Sequence, residues 1–312
     1  MSNTALAACP GRVDTPVPAG HAIDAVRNYV AAATLAQALA ALAQGSTIVL
    51  AGGTDLMPQD HAGRVRPADT LLNIRRIKEL HGVAIEGGQL ILGTLVTVAE
   101  LLTDPLVRRH APLLADAADH FASDQVRNMA TLGGNLCNAS PASDMAPPLL
   151  ALDAEVALAS LAADGSIAVR WLPLDGFFTA PGKTLRKAHE LLTAVRLPLP
   201  GVGQLGRWHK AGLRPALDIS TIAIALSVRR DTDGRMHAVR LALGAVGPTP
   251  MRARTVEALL EGTLPDPALI AAAALAAADC ARPIDDVRAS AWYRRELVHN
   301  MTRRMLEDVT HP

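Results

Sequence analysis

Two short segments limit what this chain can fold into more than anything else in it: Ala51-Gly52-Gly53-Thr54-Asp55 and Thr131-Leu132-Gly133-Gly134-Asn135. Each sets a glycine pair among apolar residues, beside a hydroxyl and a second polar side chain. Two successive residues without Cβ let the backbone take positive φ and lie directly against a ligand. Consecutive amide N–H groups in such a turn form a concavity suited to oxyanions. One such segment alone is readily explained as a tight strand-to-helix turn. Two in one chain predict a clamp that grips a diphosphate from both sides. Neither carries the Lys-Ser or Lys-Thr ending that triphosphate cleavage requires, so nucleotide hydrolysis is not expected.

The pattern around these segments predicts an α+β architecture. Thr34 reads as the N-cap of a helix whose Leu35, Ala38, Leu39 and Leu42 share a face, with Gly45 ending it. Thr47-Ile48-Val49-Leu50 follows as a buried strand leading into the first glycine pair. Residues 83–86 and 89–92 flank Gly87-Gly88, a two-residue hairpin signal. Thr97-Val98-Ala99-Glu100 fits a capping box, and 104–122 reads as one longer helix delivering the chain to the second pair. Strands are expected over 155–160, 167–172 and 191–197, with a turn at Asp164-Gly165. Pro198-Leu199-Pro200-Gly201 reads as a linker. Beyond it, 219–229 and 237–245 bracket a hairpin, and helices follow over 255–261, 268–281 and 293–308. The expected division is a flexible tail over 1–27, a ligand-binding domain over 28–200 and a smaller sheet-plus-helices domain over 201–312.

Composition closes off several classes of function. The 312 residues are half apolar with a formal net charge of +0, which favours neither nucleic acid nor an anionic membrane as partner. Charge, Gly or Pro interrupts every apolar stretch short of a membrane span. Met1–Gly20 has neither a basic start nor a sustained apolar run, so a secretory leader is not expected and a cytoplasmic location is. The cysteines, Cys9, Cys137 and Cys280, are odd in number and scattered, which argues against a disulfide framework, a zinc site or a self-contained iron–sulfur cluster. Gly201-Val202-Gly203-Gln204-Leu205-Gly206 matches a dinucleotide fingerprint by letter only. Prolines precede it where a strand is needed, and Arg207-Trp208-His209-Lys210 continues in an extended pattern where a helix is needed.

The run TLGGNLCNASPASDMAPPLLALDA over 131–154, with IVLAGGTDLMP over 48–58 upstream, closely resembles the FAD-binding medium subunit of the molybdenum hydroxylases. That family includes xanthine dehydrogenase and carbon monoxide dehydrogenase. The resemblance covers the chain from about residue 28 onward and has both glycine pairs in the right order and separation. It implies a two-subdomain FAD-binding domain followed by a smaller C-terminal domain, with non-covalent FAD as cofactor. It also implies a small partner subunit carrying two [2Fe–2S] clusters, a large molybdenum-cofactor subunit and an external electron acceptor. By resemblance the first cofactor segment is Val49, Leu50, Ala51, Gly52, Gly53, Thr54, Asp55 and Leu56. The second is Thr131, Gly133, Gly134 and Asn135, and both segments would bind the pyrophosphate mainly through backbone N–H. Phe121 falls near the adenine or flavin, Asp144 at the ribityl or ribose hydroxyls, and Leu192 and Lys210 near the flavin ring.

The residues qualify parts of that assignment. Asp55, a carboxylate, suits capping the next turn better than touching phosphate. Ser140, Ser143 and Asp144 could instead close a turn before Pro147-Pro148. Cys137 reads as a small buried hydrophobe. With 3% aromatic residues, few rings are available to stack on an isoalloxazine. Where the family commonly carries Lys after the first segment, this chain has Gln59-Asp60-His61. The sequence offers no nucleophile–base constellation, so a subunit that passes electrons through FAD is favoured over a stand-alone FAD-dependent oxidoreductase of related fold. The intact glycine pairs argue against a scaffold that has lost its flavin.

Overall fold

The computed structural model describes residues 21–214 and 217–310. A three-stranded parallel sheet comes first, with Thr70–Asn73 between Asn28–Ala31 and Thr47–Leu50. Its core is Leu39, Leu42, Leu72, Ile77 and Leu80, closed by the helix Leu35–Ala43, whose Thr34 cap accepts from Gln37 N–H. Residues 1–20 of the expected tail lie outside the described residues. The rest of that stretch is packed: Ala22 is buried, Ile23 N–H donates to Asp60 Oδ1 at 3.2 Å, and Arg27 N–H donates to Asp69 O.

An antiparallel five-stranded sheet follows, ordered Val83–Glu86, Gln89–Gly93, Leu191–Pro198, Glu155–Leu161, Ile167–Pro173. The hairpin at Gly87-Gly88 forms with both glycines at positive φ, as the two-residue connection requires. The capping box forms as well: Thr97 accepts from Glu100 N–H, and Glu100 accepts from Thr97 N–H at 2.7 Å. Short helices between residues 98 and 151 cover one face of this sheet and bury a core containing Leu114, Leu132, Leu136, Leu149 and Phe177. The single helix expected over 104–122 is two, Pro105–His110 and Pro112–Asp119. Pro112 has no N–H to continue the ladder and its ring restricts Ala111, which leaves helical geometry at φ −139, ψ 53.

After Leu199-Pro200-Gly201 comes a four-stranded antiparallel sheet of Gln204–Ala211, Ile222–Arg230, Met236–Gly244 and Met251–Arg252. The helices Arg254–Leu260, Pro267–Cys280 and Ala291–Thr310 cover it. The G-x-G-x-x-G match leads straight into a strand, so no dinucleotide turn forms there. This last unit is tied to the preceding one through the buried Arg252, which bonds Leu150 O, Asp153 and Glu257. No described helix is long and apolar enough to cross a membrane.

Candidate functional site

The strand Thr47–Leu50 ends at Ala51, and the chain turns through Gly52-Gly53-Thr54-Asp55 into the short helix Leu56–His61. The amides of Gly52, Gly53, Thr54, Asp55 and Leu56 donate to no described residue. Val49, Leu50 and the turn are mostly half-buried, so this is a run of free N–H groups in a partly dry setting. Gly53 alone of the four glycines takes positive φ, at 77°. Gly52 serves close packing: a Cβ there would lie 1.8 Å from Met129 O. The first segment therefore rests directly on the turn that leads into the second.

The second segment is built differently from the sequence expectation. Thr131 is the N-cap of a helix over Leu132–Asn138, and Gly133-Gly134 form its first turn. Every amide of that turn is engaged within the protein. Leu132 N–H donates to Val96 O and Gly133 N–H to Thr94 O, both at 2.9 Å; Gly134 N–H donates to Thr131 Oγ1 at 3.1 Å and Asn135 N–H to Thr131 O at 2.9 Å. The expected backbone grip from both sides is thus one-sided. Gly133 is there for packing, since its Cβ would meet Thr94 Oγ1 at 1.5 Å. Gly134 is exposed, and a Cβ on it would touch only its own cap, Thr131 Oγ1 at 2.8 Å. It offers an open, side-chain-free surface rather than a donor.

Asp55 does not cap the helix that follows it. Its backbone is already helical at φ −113, ψ −37, which turns the carboxylate away from the first amides. It accepts instead from Gln59 Nε2, and burial raises its pKa above the usual carboxylate value, offset in part by that bond. Gln59 Nε2 also donates to Asn138 Oδ1 at 3.0 Å, so one neutral amide braces the first segment against the second helix. Asn135 Oδ1 accepts from Ser143 Oγ at 2.6 Å, and Ser143 Oγ in turn accepts from Ala146 N–H.

Asp144 and Lys210 are brought together as a buried ion pair, Nζ to Oδ2 at 2.7 Å, with side chains 9% and 7% exposed. Lys210 also donates to His120 O at 3.0 Å, and Ser220 Oγ donates to Asp144 Oδ1 at 2.5 Å. Burial raises the Asp144 pKa, while Lys210 and the Ser220 hydroxyl pull it back. Both oxygens of Asp144 are thus occupied by protein, where the resemblance placed sugar hydroxyls. Phe121, next to His120, is half-buried against the main core. Beside it an apolar cavity of about 300 Å³ lies between Ala122, Ser123, Val126 and Leu217, Asp218, Ile219. Leu192 is 1% exposed and lies within the core, so its side chain lines no open surface. The Cys137 thiol is pushed up in pKa by burial, consistent with a packing role.

Sequence reasoning missed Gln59, Asn138, Thr94 and Ser220. Thr94 and Ser220 lie 39 and 76 positions from the partners they serve, and no local pattern connects them. Gln59 was legible only as a departure from the lysine the family commonly carries there.

The five free amides and the bare face of Gly134 suit a dinucleotide with a diphosphate centre. Comparison with known proteins agrees. Residues 24–200 match the FAD binding domain in molybdopterin dehydrogenase, and 207–309 the CO dehydrogenase flavoprotein C-terminal domain. The xanthine dehydrogenase FAD-binding subunit of Escherichia coli O157:H7 is 34% identical over 90% of this chain and 95% of its own length. The carbon monoxide dehydrogenase medium chain of Hydrogenophaga pseudoflava is 32% identical over 89% and 95%. A solved carbon monoxide dehydrogenase from Hydrogenophaga pseudoflava superposes with a TM-score of 0.84 at 31% identity, covering 90% of this chain and 96% of that one. Quinoline 2-oxidoreductase from Pseudomonas putida 86 gives 0.82 at 29%, covering 91% and 96%.

Proposed function

The chain belongs to the FAD-binding subunits of the molybdenum hydroxylases, and from that premise we propose how its residues serve the FAD-dependent oxidoreductase complex of which such a subunit is part. The observation that carries the reading is the run of unbonded amides from Gly52 to Leu56. These would hold the pyrophosphate, with Thr54 adding a hydroxyl and Ala51 following the strand whose Val49 and Leu50 shape the approach. Thr131 sets the second helix so that Gly134 and Asn135 face the same ligand. Lys210, with Asp144 and Phe121, would meet the ring end of the cofactor, and Leu192 supports it from the core.

When bound, FAD stores two electrons that can arrive one at a time and leave together. The protein's part is to bind, orient and tune it, and no side chain here is assigned proton chemistry on a substrate. The finer partners are a small subunit with two [2Fe–2S] clusters feeding electrons in, a large molybdenum-cofactor subunit oxidising the organic substrate, and an external acceptor. A cytoplasmic location and a domain division at 28–200 and 201–312 complete the proposal. An alternative, a stand-alone oxidoreductase, would need its own proton donor and substrate clamp.

Purification together with neighbouring-gene partners should give a yellow complex whose acid supernatant contains free FAD. Adding substrate should bleach the flavin only when the iron–sulfur chain is present. FMN in the supernatant, or substrate turnover by this polypeptide alone, refutes the assignment.

A further inference from the structure

The ion pair of Lys210 and Asp144 straddles the join between the two halves of the molecule. Lys210, on the strand Gln204–Ala211, and Ser220, just before the strand Ile222–Arg230, come from the C-terminal unit. Asp144 and the carbonyl of His120 come from the unit before it. Each group bonds across the join: Ser220 Oγ to Asp144 Oδ1 at 2.5 Å, Asp144 Oδ2 to Lys210 Nζ at 2.7 Å, Lys210 Nζ to His120 O at 3.0 Å. An ammonium has three donors, and two of these are spoken for, which leaves one on a side chain only 7% exposed.

We infer that Ser220 is a positioning residue for the flavin site, holding the Asp144 carboxylate so that it fixes and counterbalances the Lys210 ammonium. This rests on the flavin-subunit reading. A carboxylate beside a flavin opposes reduction, which adds negative charge to the ring, and an ammonium favours it. Held together, the two nearly cancel. Ser220 is 1% exposed, and among the described residues its hydroxyl is the one hydrogen-bond donor to Oδ1. Without that donor the carboxylate is less well stabilised as an anion, because burial already favours its protonated form. Lys210 then acts with less opposition.

The test is spectroelectrochemical titration of the FAD in the assembled complex, for the parent protein and for Ser220→Ala, Ser220→Thr and Asp144→Asn. Asp144→Asn removes the negative charge outright and should raise the flavin midpoint potential. Ser220→Ala should raise it in the same direction by a smaller amount, with FAD bound at the parent stoichiometry. Ser220→Thr keeps the hydroxyl and should restore the parent value. If Ser220→Ala sheds its flavin, recovery of both flavin and potential in Ser220→Thr supports the inference, and failure to recover them overturns it. An unchanged potential in flavin-loaded Ser220→Ala overturns it while leaving the flavin-subunit reading intact. A parent complex without flavin overturns that reading instead.

Discussion

The four glycines of the paired segments look alike in the sequence, yet the structure divides them into two that pack closely, one held at positive φ and one that faces outward, and alanine substitution should separate the packed pair from the outward one. A Cβ on Gly52 would sit 1.8 Å from Met129 O and 2.7 Å from Met129 C. Those are backbone atoms, and the turn that carries them is pinned by Ala130 N–H to Val126 O at 2.7 Å and by Val98 N–H to Ala130 O at 2.9 Å. No rotamer change relieves the clash, so one segment must lift off the other. On Gly133 the Cβ would displace the buried side chain of Thr94, whose carbonyl accepts the Gly133 N–H. Overpacking of this kind costs about 1–3 kcal/mol and more where backbone must move, so both variants should lose about 3 kcal/mol. On Gly134 the methyl meets only Thr131 Oγ1. Disturbing that cap costs about 1 kcal/mol, and Ala regains about as much as a better helix former than Gly. Thermal unfolding of the flavin-free protein, where ligand binding cannot mask the change, reads these differences directly. At about 2–4 °C per kcal/mol for a domain of this size, Gly52→Ala and Gly133→Ala should fall by about 6–12 °C. Gly134→Ala should move by less than about 3 °C while flavin occupancy drops, since its methyl projects into the open face. A Gly134→Ala protein that keeps full flavin content, or melts as early as Gly52→Ala, would refute the division.

Further outcomes follow from the contacts that hold the site. Gln59→Leu removes the brace between Asp55 and Asn138, so FAD affinity measured by fluorescence titration should weaken about 5- to 10-fold, as for the loss of one or two hydrogen bonds. Arg252→Met takes from the buried Glu257 its closest cation and leaves it only the more exposed Arg254 at 3.3 Å and the Leu241 N–H, so it should destabilise the protein by about 3 kcal/mol in urea unfolding. Asp286 sits at a pKa of about 2; burial works against it, but the N–H groups of Arg288 and Ala289 and the Arg294 guanidinium outweigh burial. Because this folded-state value lies below the usual carboxylate range, its stabilisation is present above about pH 4 and is lost as pH falls towards 2. Asp286→Asn should therefore flatten the acid limb of the stability curve in that window.

Most of the fold was legible because its signals are local. The Thr97–Glu100 capping box, the Gly87-Gly88 hairpin and the Thr34 cap each need only four or five residues to declare themselves, and each forms as read. The helix over 104–122 failed on a local signal given too little weight, Pro112, which a continuous apolar pattern on both sides had masked. The parallel strands Asn28–Ala31 and Thr70–Asn73 went unread because a short strand flanked by polar residues has no periodicity to display.

The site divides along the same line, with a more instructive result. Glycine pairs announce that backbone approaches something closely, but not what approaches. At Gly52 it is the Met129 carbonyl and at Gly133 the Thr94 side chain; Gly53 is called for by its φ of +77°, and only Gly134 leaves its face open. Which amides are free depends on partners up to 39 residues away, such as Thr94 O for Gly133, and no spacing rule reaches that far. The same holds for Asp144 and Lys210. Each could be singled out alone as a residue facing the cofactor, but their pairing, 66 residues apart and across two units, exists only once both units are folded against each other. A charge read from the sequence is therefore an upper bound on the field it exerts. Here the folded pair carries no net charge, and its carboxylate is bonded by the hydroxyl of Ser220, which no motif marks.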